Sequence, residues 1–341
     1  MIFEPIAAGG CLSYILGCSD SRRAVLIDPV LEQVDHVLGL VARHGLRIEY
    51  LVETHTHADH FSASPHLSKA LQVPVIMHPM SAAPYANLRL NDRAILHVGT
   101  LRLQVLHTPG HTLDSLCLLT EDMVFSGDTL LIGGTGRTDL PTGSAAALFD
   151  SLFDVLLKLP NETKVFPGHD YRGRLHSTIG EEIANNPRLQ KRERAEFIAM
   201  MDQLNLPAPV HLTEALRVNM SGAKTVSQMV DEASTLIAFI SVEDLRVRLA
   251  LDDPGCAILD VREKTAYQEG HIPGARHLPR GELELRVNTD LPDPSRPLVL
   301  VCETGMISIL AAATLRALGF SHALALEGGM KAWRDYSAVI P

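Results

Sequence analysis

Between residues 54 and 60 the chain reads Thr-His-Thr-His-Ala-Asp-His, which sets His55, His57, Asp59 and His60 close together directly after the apolar run Tyr50-Leu51-Val52. Imidazole nitrogens and carboxylate oxygens are the donors that hold zinc, iron and related metals. Burying so many for packing alone would leave each in need of a polar partner. Further ligand-type side chains follow on turns after apolar stretches: His111 in Thr-Pro-Gly-His, Asp128 in Ser-Gly-Asp-Thr and His169 in Pro-Gly-His-Asp-Tyr. Asp28 closes another such run, Val25-Leu26-Ile27. Loops at strand ends are where a scaffold displays functional groups, so the set points to a metal centre. Taken singly, His36, His44, His66, His78, His97 and His107 read as surface or satisfied core histidines.

A second chemistry is written around Cys302. The run Pro297 to Val301 reads as a buried strand that delivers this cysteine to a short loop, Glu-Thr-Gly-Met-Ile, ahead of a helix from Ser308. A thiolate facing the free N–H groups and positive dipole end of a helix is stabilised, and it is a nucleophile at neutral pH. Gly305 lets the loop curl so that backbone N–H groups point at the sulfur. The other cysteines, Cys11, Cys18, Cys117 and Cys256, are scattered without paired spacing and read as small core residues of a reduced protein.

The elements that must hold these groups begin with short β-rich runs at 24–27, 50–52, 75–77, 101–106 and 123–125, separated by loops and by helical patterns such as Val30 to His44. This is a sheet-rich α/β layout up to about Gly134. Residues 177–204 read as helical, interrupted at Pro187 by its missing N–H. The stretch 205–241, with Pro207, Pro209 and weak patterning after them, reads as a tail and linker. Beyond it, strand-like runs at 257–261 and 297–301 alternate with helical ones as βαβ units do. The expected organisation is one domain over 1–222, a linker over 223–237 and a second domain over 238–341.

The bulk properties suit a globular chain of two or three domains. A chain of 341 residues, 46% hydrophobic and 21% charged, has ample core-building capacity. The net charge of −10 is spread along the chain with no basic block, which argues against nucleic acid as a partner. No basic leading region and no window near the ~18 apolar residues of a membrane span is present, so the chain is expected to be soluble and cytoplasmic. Oligomeric state stays open, a homo-oligomer among the options.

Asp28, the 54–60 cluster, His111, Asp128 and His169, in that order, resemble the metallo-β-lactamase superfamily over roughly residues 1–200. The resemblance implies an αββα sandwich. That superfamily holds dinuclear zinc hydrolases, glyoxalase II among them, and mononuclear iron dioxygenases. Gly136-Arg137-Thr138-Asp139, His169-Asp170-Tyr171, the runs 177–182 and 186–189 and Asn-Leu-Pro-Ala-Pro at 205–209 resemble the persulfide dioxygenases and extend the likeness to about residue 222. By that resemblance His55, His111 and Asp128 hold one Fe(II) per chain, leaving positions for O2 and a sulfur substrate. His57, Asp59, His60 and His169 correspond to the second-metal set of the hydrolases and stand beside the iron in the dioxygenases. The implied substrate is glutathione persulfide, oxidised to sulfite and glutathione. Arg137, Tyr171 and Arg188 fall at substrate-contacting positions, and an Arg fork suits a carboxylate. The alternative is a glyoxalase II-like dinuclear zinc thioester hydrolase joined to a sulfur-binding or sensing module.

In the last third, Asp-Val-Arg-Glu at 260–263, Gly-His-Ile-Pro-Gly-Ala at 270–275 and Gly-Gly-Met-Lys-Ala-Trp at 328–333 resemble rhodanese domains. That implies a parallel-sheet α/β domain in which Cys302 carries a persulfide for sulfur transfer and Asp260 and Arg262 support the domain near the loop. The loop departs from the pattern of enzymes acting on thiosulfate, which carry a cation where Ile307 stands here. Glu303 adds a negative neighbour. Both changes should weaken binding of the thiosulfate dianion, and thiosulfate stays open as a substrate.

Overall fold

The computed structural model describes residues 1–207, 212–251, 255–291 and 293–339, with side chains as far as Tyr336. It divides into two compact units, Met1–Ala223 and Lys224–Pro341.

In the first unit one six-stranded sheet runs β1 (Ile2–Ala8), β2 (Cys11–Gly17), β3 (Arg23–Ile27), β4 (Arg47–Val52), β5 (Val75–Met77) and β6 (Leu88–Arg89), in that order across the sheet. A hairpin of β1 and β2 pairs antiparallel with β3, and from β3 onward the strands are parallel. The second sheet is built from β7 (Ile95–Val98), β8 (Leu101–His107), β9 (Leu116–Thr120) and β10 (Met123–Gly127). A two-stranded ribbon follows, β11 (Leu130–Leu131) and β12 (Gly134–Thr135), and then β13 (Lys164–Pro167) and β14 (Ser177–Thr178) complete the second sheet in the order β14-β13-β10-β9-β8-β7.

The period-two alternation of β2 explains the layering. Leu12, Tyr14 and Leu16 join Val25, Ile27, Val105, Leu118 and Phe125 in a core between the two sheets, whereas Ile15, with Ala24 and Leu26 of β3, faces the opposite side. There α1 (Val34–Arg43) and α2 (Ser64–Leu71) cover the first sheet with Val37, Leu40 and Leu67. Helices α3 (Ala145–Asp150), α4 (Ile179–Asn185) and α5 (Arg194–Asp202) cover the second with Leu148, Ile179 and Phe197. The result is the expected helix–sheet–sheet–helix sandwich. Pro187 ends α4 as expected and opens a single 3₁₀ turn, Pro187–Gln190.

The stretch read as a tail and linker is structured. Helix α6 (Leu212–Ser221) belongs to the first unit. Helix α7 (Val226–Thr235), inside the expected linker 223–237, carries a Thr225/Gln228 capping box and packs within the second unit. Their inward faces mix Val218 and Val230 with the small or polar Ala215, Asn219 and Ala233, so the apolar period that signals a helix is weakened. Ala208 and Pro209 lie outside the described residues.

The second unit is one parallel sheet in the order β15-β19-β18-β16-β17, formed by β15 (Ala238–Ile240), β16 (Ala257–Asp260), β17 (Arg276–His277), β18 (Leu298–Val301) and β19 (Ala323–Leu326). Helices α8 (Val242–Leu249), α9 (Lys264–Glu269), α10 (Leu283–Asp290), α11 (Met306–Ala317) and α12 (Gly329–Val339) alternate with them. Every residue of β18 is buried because both sheet faces are covered, Leu298 and Leu300 on one and Val299 and Val301 on the other. Helix α11 starts at Met306, two residues before the expected Ser308. Among the described residues no helix is long and apolar enough to cross a membrane.

Candidate metal centre and cysteine loop

The loop after β4 is held by buried polar groups. Asp28, at the end of β3, adopts a left-handed backbone (φ 49°), a conformation that costs a non-glycine residue about 1–3 kcal/mol and persists only where its surroundings fix it. Its carboxylate accepts the Thr54 N–H (2.7 Å) and the Thr54 hydroxyl (2.7 Å). The Thr54 oxygen, its proton spent on Asp28, can only accept from His55 Nδ1 (2.9 Å). His55 Nε2 is thereby left with its lone pair free, and it is buried without a hydrogen-bond partner. His111, in the loop after β8, is oriented in the same way: Nδ1 lies 2.8 Å from the Arg137 carbonyl oxygen, so it must donate, and Nε2 points to Asp128 Oδ2 at 3.6 Å. Asp128 follows β10. The ligand atoms of His55, His111 and Asp128 lie within 4.8 Å of one another, and all three residues are buried.

The remaining expected ligands separate into two further groups. Cys11, Asp59, His60 and His169 form one, and Asp28, Glu53 and His57 form the other. His169 bridges carboxylates, with Nδ1 2.7 Å from Asp128 and Nε2 2.8 Å from Asp59. Burial opposes its protonation, but the two carboxylates outweigh that and hold its pKa well above the usual histidine value. Asp128 responds in kind: burial disfavours its charge, yet His169, His111 and His55 hold its carboxyl below the usual range. His57 Nε2 sits 3.0 Å from Glu53 and 3.3 Å from Asp28, which raise its pKa against the cost of burial. Burial, with His57 and His111 nearby, pushes that of His55 well down.

Several residues of this centre escaped sequence reading. Asn219 of α6 is buried; its amide donates to the His57 and His60 carbonyls (2.9 and 2.8 Å) and accepts the Ser62 N–H, tethering the ligand loop. Glu53 accepts from the Ser62 hydroxyl (2.5 Å) and the Ser64 hydroxyl. Cys11 of β2, read as a core residue, reaches Asp59 at 3.5 Å; its backbone bridges His169 while Leu12 N–H bonds Gly168. A single Asn, Glu or Cys carries no spacing signal.

The cluster of donor residues opens on a cavity of about 910 Å³ lined in part by Asp128, His111, Arg137, Tyr171, Arg188 and Leu206. The three expected substrate contacts therefore share one cavity but differ in state. Arg137 is closed on Asp139 in a bidentate pair (2.6 and 2.7 Å) and also donates to the Pro207 carbonyl. Arg188 donates to the Thr135 carbonyl and hydroxyl (2.6 and 3.1 Å) and has no carboxylate partner among the described residues. Burial pushes its guanidinium pKa down. Tyr171 is exposed, its ring stacked near His169 and against Gly10.

In the second unit Cys302 directly follows β18 and is buried. Its sulfur accepts the N–H groups of Gly305 (3.2 Å) and Ser308 (3.3 Å), with the Ser308 hydroxyl 3.5 Å away. Gly305 has φ 97°, the curl expected of it. The loop rests on the start of α12, where Met330 and Lys331 N–H groups bond the Cys302 and Glu303 carbonyls (2.8 and 3.0 Å). Gly329 permits this, because a Cβ there would lie 2.4 Å from the Cys302 oxygen. Glu303 is paired with Arg262 (3.2 Å) and with Arg334 of α12, so its charge is not an unopposed negative neighbour as the sequence suggested. Arg262 is locked by Asp260 (2.7 Å) and the Gly270 carbonyl (2.7 Å).

The model of the metallo-beta-lactamase superfamily matches residues 6–169, and that of the rhodanese-like domain matches 242–336. Fold and site thus define a metallo-β-lactamase-fold unit with a clustered donor set, joined to a rhodanese-like unit with a loop cysteine. The human mitochondrial persulfide dioxygenase ETHE1 is 38% identical over 221 residues, 64% of this chain and 86% of that protein. The crystal structure of ETHE1 from Myxococcus xanthus matches at 45% identity and a TM-score of 0.63, covering 64% of this chain and 98% of the other. A metallo-beta-lactamase structure from Staphylococcus aureus shares the fold at 24% identity and a TM-score of 0.60, over 96% of this chain and 98% of its own. The chain belongs to the persulfide dioxygenase family of the metallo-β-lactamase superfamily and carries a C-terminal rhodanese-like domain.

Proposed function

We propose that the first unit oxidises glutathione persulfide with O2 to sulfite and glutathione at one Fe(II) held by His55, His111 and Asp128, and that Cys302 carries a sulfane sulfur as a persulfide. The observation that carries this reading is the buried triad: two imidazoles whose Nδ1 atoms are committed to Thr54 and to the Arg137 carbonyl, and one carboxylate, at a cavity that also holds Arg188. Two imidazoles and one carboxylate with open positions are the donor set of non-haem Fe(II) oxygenases. Iron held by His55, His111 and Asp128 would supply the redox chemistry that joins O2 to a sulfur substrate.

The chain's own groups do the rest. Thr54 and the Arg137 carbonyl aim the two imidazoles, and His169 keeps Asp128 ionised. Leu131, Leu140 and Leu206 line the cavity and limit water. Arg188 offers its guanidinium to a substrate carboxylate. The dinuclear hydrolase alternative would place a second ion among Asp59, His60 and His169, which also stand together, so the number of metal ions per chain separates the two readings.

In the second unit the N–H groups of Gly305 and Ser308 would stabilise the sulfur of a Cys302 persulfide. The unpaired state of all five cysteines supports a reducing, cytoplasmic setting. Metal analysis of protein purified without O2, combined with O2 uptake on adding glutathione persulfide, tests the first half. About one iron per chain and persulfide-dependent uptake are expected. Two zinc ions per chain with thioester hydrolysis would overturn the reading.

A further inference from the structure

The cysteine loop has no cation of its own: residues 303 to 308 read Glu-Thr-Gly-Met-Ile-Ser, and Met306 and Ile307 are exposed apolar side chains at its rim. Two guanidinium groups nevertheless reach the loop from elsewhere, and they are not equivalent. Arg262 is buried and fully engaged by Asp260, the Gly270 carbonyl and Glu303. Arg334 is half-exposed, and Glu303 is its partner among the described residues. It stands one turn into α12, the helix whose first N–H groups are bonded to the carbonyls of Cys302 and Glu303. The packing that supports the sulfur therefore also fixes where Arg334 stands.

We propose that Arg334 is a specificity-determining residue of the Cys302 site: it selects organic persulfides that carry a carboxylate, with Glu303 as its resting counter-ion. The inference rests on the reading of Cys302 as a sulfur carrier. An exposed ion pair is weakly held, so a donor's carboxylate can take the place of Glu303 on the guanidinium fork, which already holds a group of the same geometry. Arg262 cannot serve, because Asp260 keeps it. Thiosulfate bears its charge on the sulfonate bonded directly to the transferring sulfur, so that charge falls inside a loop without a cation. In the transfer itself the Cys302 thiolate attacks the outer sulfur of R–S–SH. The new Sγ–S bond forms as the donor S–S bond breaks, the terminal sulfur keeps its proton, and R–S⁻ leaves with the electron pair and takes a proton from water.

The test uses the full chain without O2, so that the first unit lacks its co-substrate. Sulfur loading is followed by mass spectrometry as one added sulfur on the Cys302 peptide, with Cys302→Ser as the blank. Two donors are compared: glutathione persulfide, with two carboxylates, and the persulfide of 2-mercaptoethanol, with none. Arg334→Ala is expected to raise the half-saturating concentration of glutathione persulfide about tenfold and leave the mercaptoethanol donor unchanged. Arg334→Lys should recover part of the loss, and Glu303→Gln should favour the carboxylate donor alone. Equal effects on both donors, or none on either, would overturn the role of Arg334 while leaving sulfur carriage standing. A wild-type chain whose Cys302 loads from neither donor would overturn both.

Discussion

Arg188 provides the sharpest test of the proposed oxidation, because its environment differs from that of Arg137 in the same cavity. Arg188 is half-buried, its guanidinium pKa is pushed down by burial, and its bonds run to neutral oxygens of Thr135, so a charge stands there with no anion to meet it among the described residues. A substrate carboxylate would supply one, and a charge-assisted contact of this kind is worth ~1.5–3 kcal/mol. Arg188→Ala should therefore lower kcat/KM for glutathione persulfide by roughly ten- to a hundred-fold. Arg137 already has Asp139, a pair at the rim whose loss is worth about 1 kcal/mol or less, so Arg137→Ala should cost roughly fivefold at most. The assay is O2 uptake by iron-loaded protein, with iron content and melting temperature measured alongside. A carboxylate-free persulfide serves as control, and against it the two variants should differ little. Equal losses for Arg137→Ala and Arg188→Ala with the peptide donor, or no loss for Arg188→Ala, would refute the assignment of Arg188 to the substrate.

His55→Ala, His111→Ala and Asp128→Ala should each abolish iron binding and O2 uptake, while Cys302→Ser keeps both; loss of uptake in the cysteine variant would show that the two sites are not separable. Ile307→Arg should raise thiosulfate-to-glutathione transfer several-fold by placing a cation in the loop, and a wild type that already turns over thiosulfate briskly, with the variant no better, would rule the charge argument out. Gly329→Ala puts a Cβ 2.4 Å from the Cys302 oxygen at φ 61°, so the second unit should melt several degrees lower and load sulfur more slowly; unaltered melting and loading would mean that α12 does not support the loop as described.

Much of the site was legible before any coordinates because metal chemistry writes itself in local spacing. His55, His57, Asp59 and His60 share one loop, and His111, Asp128 and His169 each follow an apolar strand, so residue type and position sufficed to pick them out. The parallel sheet around Cys302 was legible for the same reason, since a wholly buried β18 reads as an uninterrupted apolar run. The hairpin of β1 and β2 was not, because β2 is buried on both faces and its run does not alternate strictly between apolar and polar, and the helices α6 and α7 were not, because several of their inward residues, Ala215, Asn219 and Ala233, are small or polar.

Residue types and their order along the chain, then, determined which groups can bind a metal and which sulfur can react. Tertiary structure alone decided how those groups divide: His57 went to Asp28 and Glu53, His169 became a bridge between two carboxylates, and His55 and His111 were left with one nitrogen each to offer. It also decided the state of the charges. Arg137 and Arg188 look alike in sequence, yet one is neutralised by Asp139 and the other is not; Glu303 looks like a lone negative charge, yet it is held between Arg262 and Arg334, the latter 31 positions away. The physical reason is the same in each case: a proton's place and a charge's worth depend on which atoms lie within a few ångströms, and those neighbours are brought together only by the fold.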